Sequence, residues 1–374
     1  MAATGGPAAL AVLYLPGLGG LPPRLLPLAC LLGLAAFLPA LAVWRRFSAA
    51  VASPGGLYAF AHLGLGPRWA AVQGWAWTAA YVLYLPYTIA YVVYLALPAL
   101  LRLPRGVAPA LELLLPALCI LAAARARRAL LQGLAVFGAF QLLAVAASVF
   151  LGLHTAPPPL PSGGTGFFPL PTWPAWAALL RGAADLSSLF VCLSLVVFLG
   201  GEAAGAGADV RWSLGAGAAL AGAATFAGAV LLALRPGAAV PGPAWWGSAY
   251  TLLAQASTLA LVAAELVALL CLGRVMPGWP PGPPLVWVGA AFLAGAGVSL
   301  LGPARFYDLT LPPSLLGLWI SMLVVSAAWA VQAHRSGPGG LRVGDAVLAG
   351  LAFLWAGYGA WGAAQQLLRA FGAP

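Results

Sequence analysis

The chain has 374 residues, of which 63% are hydrophobic and only 6% are charged, and its mean hydropathy is +0.98. Soluble domains carry about 25% charged residues, so this composition excludes a soluble protein and indicates an integral membrane protein. All 17 basic residues are arginines, and they lie at the ends of apolar segments, where such residues set topology; the net charge of +10 therefore does not indicate nucleic-acid binding.

About eleven apolar segments approach the ~20 residues that a helix needs to cross a bilayer. They lie at 8–22, 26–43, 70–100, 107–123, 129–153, 178–204, 214–234, 248–273, 284–302, 311–333 and 344–367. Because these runs are continuously apolar and do not alternate, they predict helices and exclude the strands of a membrane barrel. We expect an all-α integral membrane protein with about 11 transmembrane helices, forming a single domain over 1–374.

The second segment is joined to the third by a semi-polar stretch. The segment 8–22 contains Pro16 and three glycines within 17–20, so it is predicted not to be one straight helix. The stretch 47–69 is too polar to span a membrane. Further along, the residues 154–176 are rich in Pro and Gly and predict an extramembrane loop.

The sixth segment ends in an unusual way, because its apolar run meets Gly200, Gly201 and then the carboxylate Glu202. Paired glycines weaken a helix, and a carboxylate at membrane depth needs a cavity or a partner. Together they favour a discontinuous helix of the kind found at the middle of transporters. The alternative is that the glycines only allow another helix to pack closely, with Glu202 at the interface.

Glycine interruptions in segments one and six, five segments apart, predict an inverted five-plus-five repeat with both helices broken. Repeat one would cover about 8–153, repeat two about 178–333, and an extra helix about 344–367. With the N-terminus in the cytoplasm, ten arginines fall in inside loops and seven in outside loops, which favours this orientation. We expect a multi-pass protein of the cytoplasmic membrane.

Three features carry a resemblance to a known family. The residues 53–60, followed by 64–67 and 74–75, are similar to a signature P-x-S-G-G-x-Y-x-Y…FGP…GW, and 198–202 is similar to an F-x-G-x-E motif. The third feature is the order of segments, with a long outside loop between five and six. The chain resembles the amino acid–polyamine–organocation superfamily of permeases, which carries the first motif after its second helix and the other in its broken sixth helix.

The resemblance implies alternating-access transport of an amino acid. The substrate carboxylate would bind free N–H groups of the broken first helix, and its ammonium would meet carbonyl groups of helices one and six. The substrate-binding positions that it implies are Ala9, Leu10, Ala11, Val12 and Gly17 in the first segment, and Phe198, Gly200, Gly201 and Glu202 in the sixth.

The first segment departs from the family pattern G-x-G-[IV]-[FL]-x-x-P. In the best register, 9–16, alanines replace both glycines, and only eight residues precede the motif. Three interpretations remain open: a truncated start, a break supplied by 17–20 in a shifted register, or a degenerated site.

The fifth helix has glutamine where many proton-coupled relatives have a coupling lysine, eleven residues before a glycine near the helix end. Counting back from Gly152 gives Gln141, which cannot titrate. It is either at the coupling site or an interhelical hydrogen-bond partner. Ser257 and Thr258 could offer hydroxyls to a sodium ion, as in related sodium-coupled folds, or bond to their own i−4 carbonyls.

Two further glutamates lie in the apolar segments. Glu265 lies in an entirely apolar stretch and is a candidate for proton coupling or for the substrate ammonium. The alternative is a buried protonated carboxyl that has no transport role. Glu112, near the start of the fourth segment, is interpreted as interfacial.

These patterns predict a secondary transporter for amino acids, with neutral ones favoured by the Ala- and Gly-rich segments. An exporter, an exchanger or a degenerate non-transporting protein is the alternative. No metalloprotease motif, His-and-acid cluster or phosphate-binding loop is present, so an enzyme is not expected. We expect no cofactor and no metal site, and as partners a small-molecule substrate, the lipid bilayer and a co-transported proton or sodium ion, but no nucleic acid.

Overall fold

The computed structural model of the chain describes residues 4, 8–9, 15, 21–100, 104, 106–154, 173–199, 206–234, 244–336 and 343–372. Helices make up almost all of this part of the chain. They are α1 Leu26–Ala50 (after a 3₁₀ turn, Pro23–Leu25), α2 Leu57–Leu65, α3 Pro67–Ala90, a π-helix Tyr91–Ala96, α4 Leu97–Leu100, α5 Val107–Arg125, α6 Arg127–His154, α7 Trp173–Val191, α8 Ser194–Leu199, α9 Ala206–Leu234, α10 Ala244–Gly273, α11 Pro284–Ser299, α12 Pro303–Ser336 and α13 Val343–Ala370.

Within these residues, nine helices are long and apolar enough to cross a membrane. The apolar helix α11, with 16 residues, is shorter than these nine. The prediction of an all-α, multi-pass membrane protein is confirmed. Most of the first predicted segment, 8–22, lies outside the described residues.

Helix α12 begins earlier than predicted. It starts at Pro303, not at 311, and continues through Pro312 and Pro313. Its first turns carry Arg305 and Asp308, both of which are exposed. Polar residues and prolines both favour loops, so the sequence pattern does not predict a helix over these first turns.

One compact unit comprises Met1–Phe37, Gly133–Cys192 and Ala216–Ala260. One of its core clusters joins residues of the first segment and of the start of α1 to residues of α7 and α9. The buried members are Leu15, Leu21, Leu25, Leu26, Ala29, Cys30, Leu179, Leu186, Ala229 and Leu232.

A second compact unit comprises Leu38–Gln132, Leu193–Gly215 and Leu261–Pro374. In it α12 packs against α3, α2 and α13, and α11 packs against α3 and α5. The backbones of α2 and α12 approach so closely that a Cβ on Gly64 would lie 2.2 Å from the carbonyl oxygen of Ala328. The Gln73 side-chain amide donates to Ser321 Oγ at 2.8 Å, which ties α3 to α12. Both units draw on both halves of the chain, and the proposed repeat boundaries stay a prediction.

Candidate functional site

The signature stretch 53–60 forms a tight turn that leads into α2. The Gly55 amide donates to Ser53 Oγ at 3.1 Å, and the Gly56 amide donates to the Ser53 carbonyl at 3.0 Å. Gly56 then precedes the helix with φ 51° and ψ −125°, a conformation that side chains with a Cβ rarely adopt. The glycine of the motif is thus required by the backbone at this position.

The same glycine touches the second family motif. A Cβ on Gly56 would lie 2.5 Å from Cδ1 of Phe198 and 2.6 Å from its Cγ, well inside contact distance. Phe198 lies on α8 and is fully buried. Two stretches that sequence analysis singled out separately, 53–60 and the start of 198–202, are therefore packed against one another.

The predicted sixth helix is interrupted. Helix α7 ends at Val191, a turn occupies Cys192 and Leu193, and α8 begins at Ser194. This interruption lies within the predicted segment 178–204. It begins at Cys192, eight residues before the predicted break at 200. The predicted break at 200–201, and Glu202 after it, lie outside the described residues.

An aromatic stack extends from α8 along α3. The ring centroid of Phe198 lies 4.1 Å from that of Trp77, which lies 4.3 Å from that of Tyr81. Trp77 Nε1, in this stack, and Ser194 Oγ, one helical turn before Phe198 on α8, are buried and have no hydrogen-bond partner in the described part of the chain. Since buried polar groups are nearly always satisfied, each of these two atoms needs a partner, which a water molecule or a polar ligand can supply.

The first predicted binding residue, Ala9, lies in a buried cluster of the other unit. Its neighbours there are Ala8, Ala144, Val145, Tyr250 and Ala254. The Tyr250 hydroxyl donates to the carbonyl oxygen of Ala9 at 3.0 Å, so α10 fixes the backbone of the first segment at this point. The remaining positions of that segment, Leu10, Ala11, Val12 and Gly17, are outside the described residues.

Three of the four residues proposed for ion coupling, Gln141, Ser257 and Thr258, lie next to this cluster. Gln141 is buried on α6, one helical turn before Ala144 and Val145, and its amide nitrogen has no partner in the described ranges. On α10, Ser257 Oγ donates to the Leu253 carbonyl at 2.6 Å, and Thr258 Oγ1 donates to the Ala254 carbonyl at 3.1 Å.

These hydroxyl bonds are the i−4 bonds that sequence analysis weighed against a sodium site. They use the hydroxyl protons and leave oxygen lone pairs of Ser257 and Thr258 as acceptors. The sodium site stays a prediction.

The two intramembrane glutamates are both fully buried. Both carboxyl oxygens of Glu265 lack a hydrogen-bond partner among the described residues. Glu112 is covered by protein, because α11 and the π-helix pack against α5. Its interfacial position in the membrane stays a prediction. The position of Glu112 near the start of an apolar segment does not reveal that other helices cover its side chain.

Two residues that the sequence did not indicate lie beside the predicted ones. Trp77 stacks on Phe198, and Tyr250 binds the carbonyl of Ala9. An aromatic side chain with a polar atom, inside an apolar segment, would have been the available signal, because such atoms find partners when buried. No three His, Cys, Asp or Glu side chains of the described residues are grouped so that they could hold a metal ion.

Removing the Tyr250 hydroxyl should loosen the first segment. In Tyr250→Phe the buried Ala9 carbonyl loses its donor, and we expect the protein to lose about 1–3 kcal/mol of stability, seen as a lower Tm in lipid. Thr251→Val is the matched control, since the Thr251 hydroxyl donates only to the Gly247 carbonyl of its own helix at 2.8 Å. Equal Tm values for the two variants would contradict a role of Tyr250 in fixing Ala9.

The fold has relatives among solved membrane transporters. The chain is similar to a Na⁺-coupled sialic acid symporter in its substrate-bound outward-open state, with a TM-score of 0.52 and 13% identity over 97% of this chain and 89% of the other. It is also similar to the manganese transporter of Eremococcus coleocola in complex with an aromatic bis-isothiourea compound, with a TM-score of 0.50 and 13% identity over 99% and 90% of the two chains. No known protein family profile matches the chain, and no curated protein matches it. The chain therefore has the all-α fold of these transporters, as the predicted fold class required.

Proposed function

We propose that the chain is a secondary transporter of the cytoplasmic membrane that moves neutral amino acids by alternating access, as a member of the amino acid–polyamine–organocation superfamily. The observation that carries the proposal is the contact of Gly56 with Phe198, which joins the signature turn to the helix after an interruption. The shared fold with two transporters supports the same class of function.

A zwitterionic substrate suits the chemistry of these elements. Backbone groups released by an interrupted helix bind charged ends of a ligand without charged side chains. The chain has only seven acidic residues, and the polar atoms of Trp77 and Ser194 are available beside Phe198. A neutral amino acid needs no further counter-charge in the protein.

For the coupling ion we propose sodium, with Ser257 and Thr258 as candidate ligands. Their oxygens retain acceptor lone pairs. The Thr258 hydroxyl donates to the carbonyl of Ala254, which packs in the same cluster as Ala9. Gln141 cannot supply the titrating cation of a lysine-based proton cycle. We place the N-terminus in the cytoplasm on the arginine distribution alone.

Uptake into proteoliposomes tests the proposal. With an inward sodium gradient, the purified protein should accumulate a labelled neutral amino acid above protein-free liposomes, and collapse of the gradient should abolish the excess. Absence of uptake for every amino acid, under sodium and proton gradients of both directions, would contradict it.

Ser194→Ala sharpens this test. If the Ser194 hydroxyl binds substrate, its loss should raise the apparent KM about tenfold, the effect of ~1.4 kcal/mol for one hydrogen bond. Ser326→Ala is the control, because that buried hydroxyl donates to the Met322 carbonyl of its own helix at 2.8 Å. An unchanged KM in Ser194→Ala would remove this residue from the binding site.

A non-transporting member of the fold is the second candidate. It is favoured by the first segment, where alanine replaces the family's glycine at Ala9 and where the Tyr250 hydroxyl already occupies the carbonyl of that residue. Binding without uptake would distinguish it: a labelled amino acid would be retained by the detergent-solubilised protein, but it would not accumulate in proteoliposomes.

A further inference from the structure

Glu112 lies inside the second unit at a place that no coupling residue named above occupies. It is fully buried on α5, and α5 packs against α11, α3 and the π-helix. One carboxyl oxygen, Oε1, lies 2.5 Å from Ser299 Oγ at the end of α11. The other, Oε2, has no partner among the described residues.

The hydrogen bonds at Ser299 require one proton more than the serine carries. Its hydroxyl oxygen lies 2.5 Å from Glu112 Oε1 and 2.7 Å from the Ala296 carbonyl, but a hydroxyl has a single proton to donate. An ionised Glu112 would leave one of these two acceptors without a donor. A protonated carboxyl instead donates from Oε1 to Ser299 Oγ, and Ser299 donates to Ala296, so both contacts become hydrogen bonds.

No nearby positive charge among the described residues stabilises an ionised Glu112 carboxylate. No cationic side chain of the described residues forms an ion pair with Glu112. Helix α11 carries no titratable side chain. The other titratable groups on the elements around Glu112 are Tyr91 and Tyr94 on the π-helix, Arg68, Tyr81, Tyr84 and Tyr87 on α3, and Cys119 and Arg125 on α5. Arg125 lies 13 residues along α5, about 20 Å at the helical rise, and Arg68 is at the far end of α3.

We propose that Glu112 and Ser299 form a proton-binding site inside the membrane domain, separate from the residues assigned to sodium. The bound state is the acid with its O–H on Ser299. On release the O–H bond breaks, the proton passes to a water molecule, and the carboxylate remains. Tyr94, which is half-buried, lies on the π-helix that packs against α5. The proposal stands independently of which solute the protein transports.

Infrared difference spectroscopy between acidic and alkaline pH reads this proton directly. In the lipid-reconstituted wild type we expect a carbonyl stretching band of a protonated carboxylic acid, sensitive to D₂O, that is lost in Glu112→Gln. In Ser299→Ala the same band should shift, because its hydrogen-bond acceptor is gone. Ser326→Ala, which removes a buried hydroxyl that bonds only within its own helix, should leave the band in place.

A spectrum of Glu112→Gln identical to the wild type in this region would overturn the proposal. Where Glu112→Gln fails to fold, Ser299→Ala decides: an unshifted band would equally overturn it. Glu265→Gln distinguishes the band of Glu112 from that of the other buried glutamate. This variant should leave the Ser299-sensitive band unchanged.

Discussion

A Gly56→Ala protein should lose most of its stability and its transport. The added Cβ would lie 2.5 Å from Phe198, and it would be held at a φ of 51°. The unfavourable backbone conformation costs about 1–3 kcal/mol, and overpacking of a buried ring costs about 1–3 kcal/mol more. We expect a large fall in Tm in lipid and loss of uptake.

Two variants make the Gly56 prediction specific. Gly297→Ala, in helix α11 where a Cβ meets nothing within 4 Å, should be as stable as the wild type or slightly more stable. Phe198→Ala in the Gly56→Ala background should relieve the steric part, so the double variant should be less destabilised than the sum of the single ones. Strict additivity would show that the two residues are not in contact.

Phe198→Ala should have the second largest effect. The ring is fully buried between Gly56 and Trp77, and truncation of a buried Phe costs about 3–5 kcal/mol. Phe353→Ala on α13 is the matched control, because that ring is 47% exposed, and a change of about 0.5 kcal/mol or less is expected. The measurement is thermal unfolding of both variants in the same lipid, and equal losses would contradict the packing of Phe198.

Hydropathy predicted the helices well, because the bilayer imposes one length and one polarity on each spanning segment. The prediction for 107–123 differs from α5, Val107–Arg125, only at its end. The signature 53–60 could also be found, since its glycines report a backbone requirement that is local to the motif. Hydropathy did not predict the places where contacts with distant segments interrupt a regular helix.

The interruption at Cys192 and Leu193 is one such place. Neither residue is a glycine or a proline, and the flanking run is apolar, so the local sequence predicts a continuous helix. The short α8 packs against α2, which is more than a hundred residues away in the sequence. The π-helix Tyr91–Ala96 and the enclosure of Glu112 likewise depend on packing between distant segments, which hydropathy does not report.

The candidate site divides in the same way. The residue types at Gln141, Ser257 and Thr258 drew attention because polar groups are rare in such segments, and their placement near the cluster of Ala9 follows from the fold. The Tyr250 hydrogen bond to Ala9 spans 241 residues and had no counterpart in any local pattern. The partner of a buried polar group was thus the part that the sequence could not provide.

Solute counterflow is the most direct measurement of the central claim, because it requires a transport path but no coupling gradient. Vesicles preloaded with an unlabelled neutral amino acid and diluted into a trace of the labelled one should accumulate label with the wild type and with Gly297→Ala, and should not with Gly56→Ala. Failure of the wild type to exchange any amino acid, or full exchange by Gly56→Ala, would contradict the proposed transporter built on the Gly56–Phe198 contact.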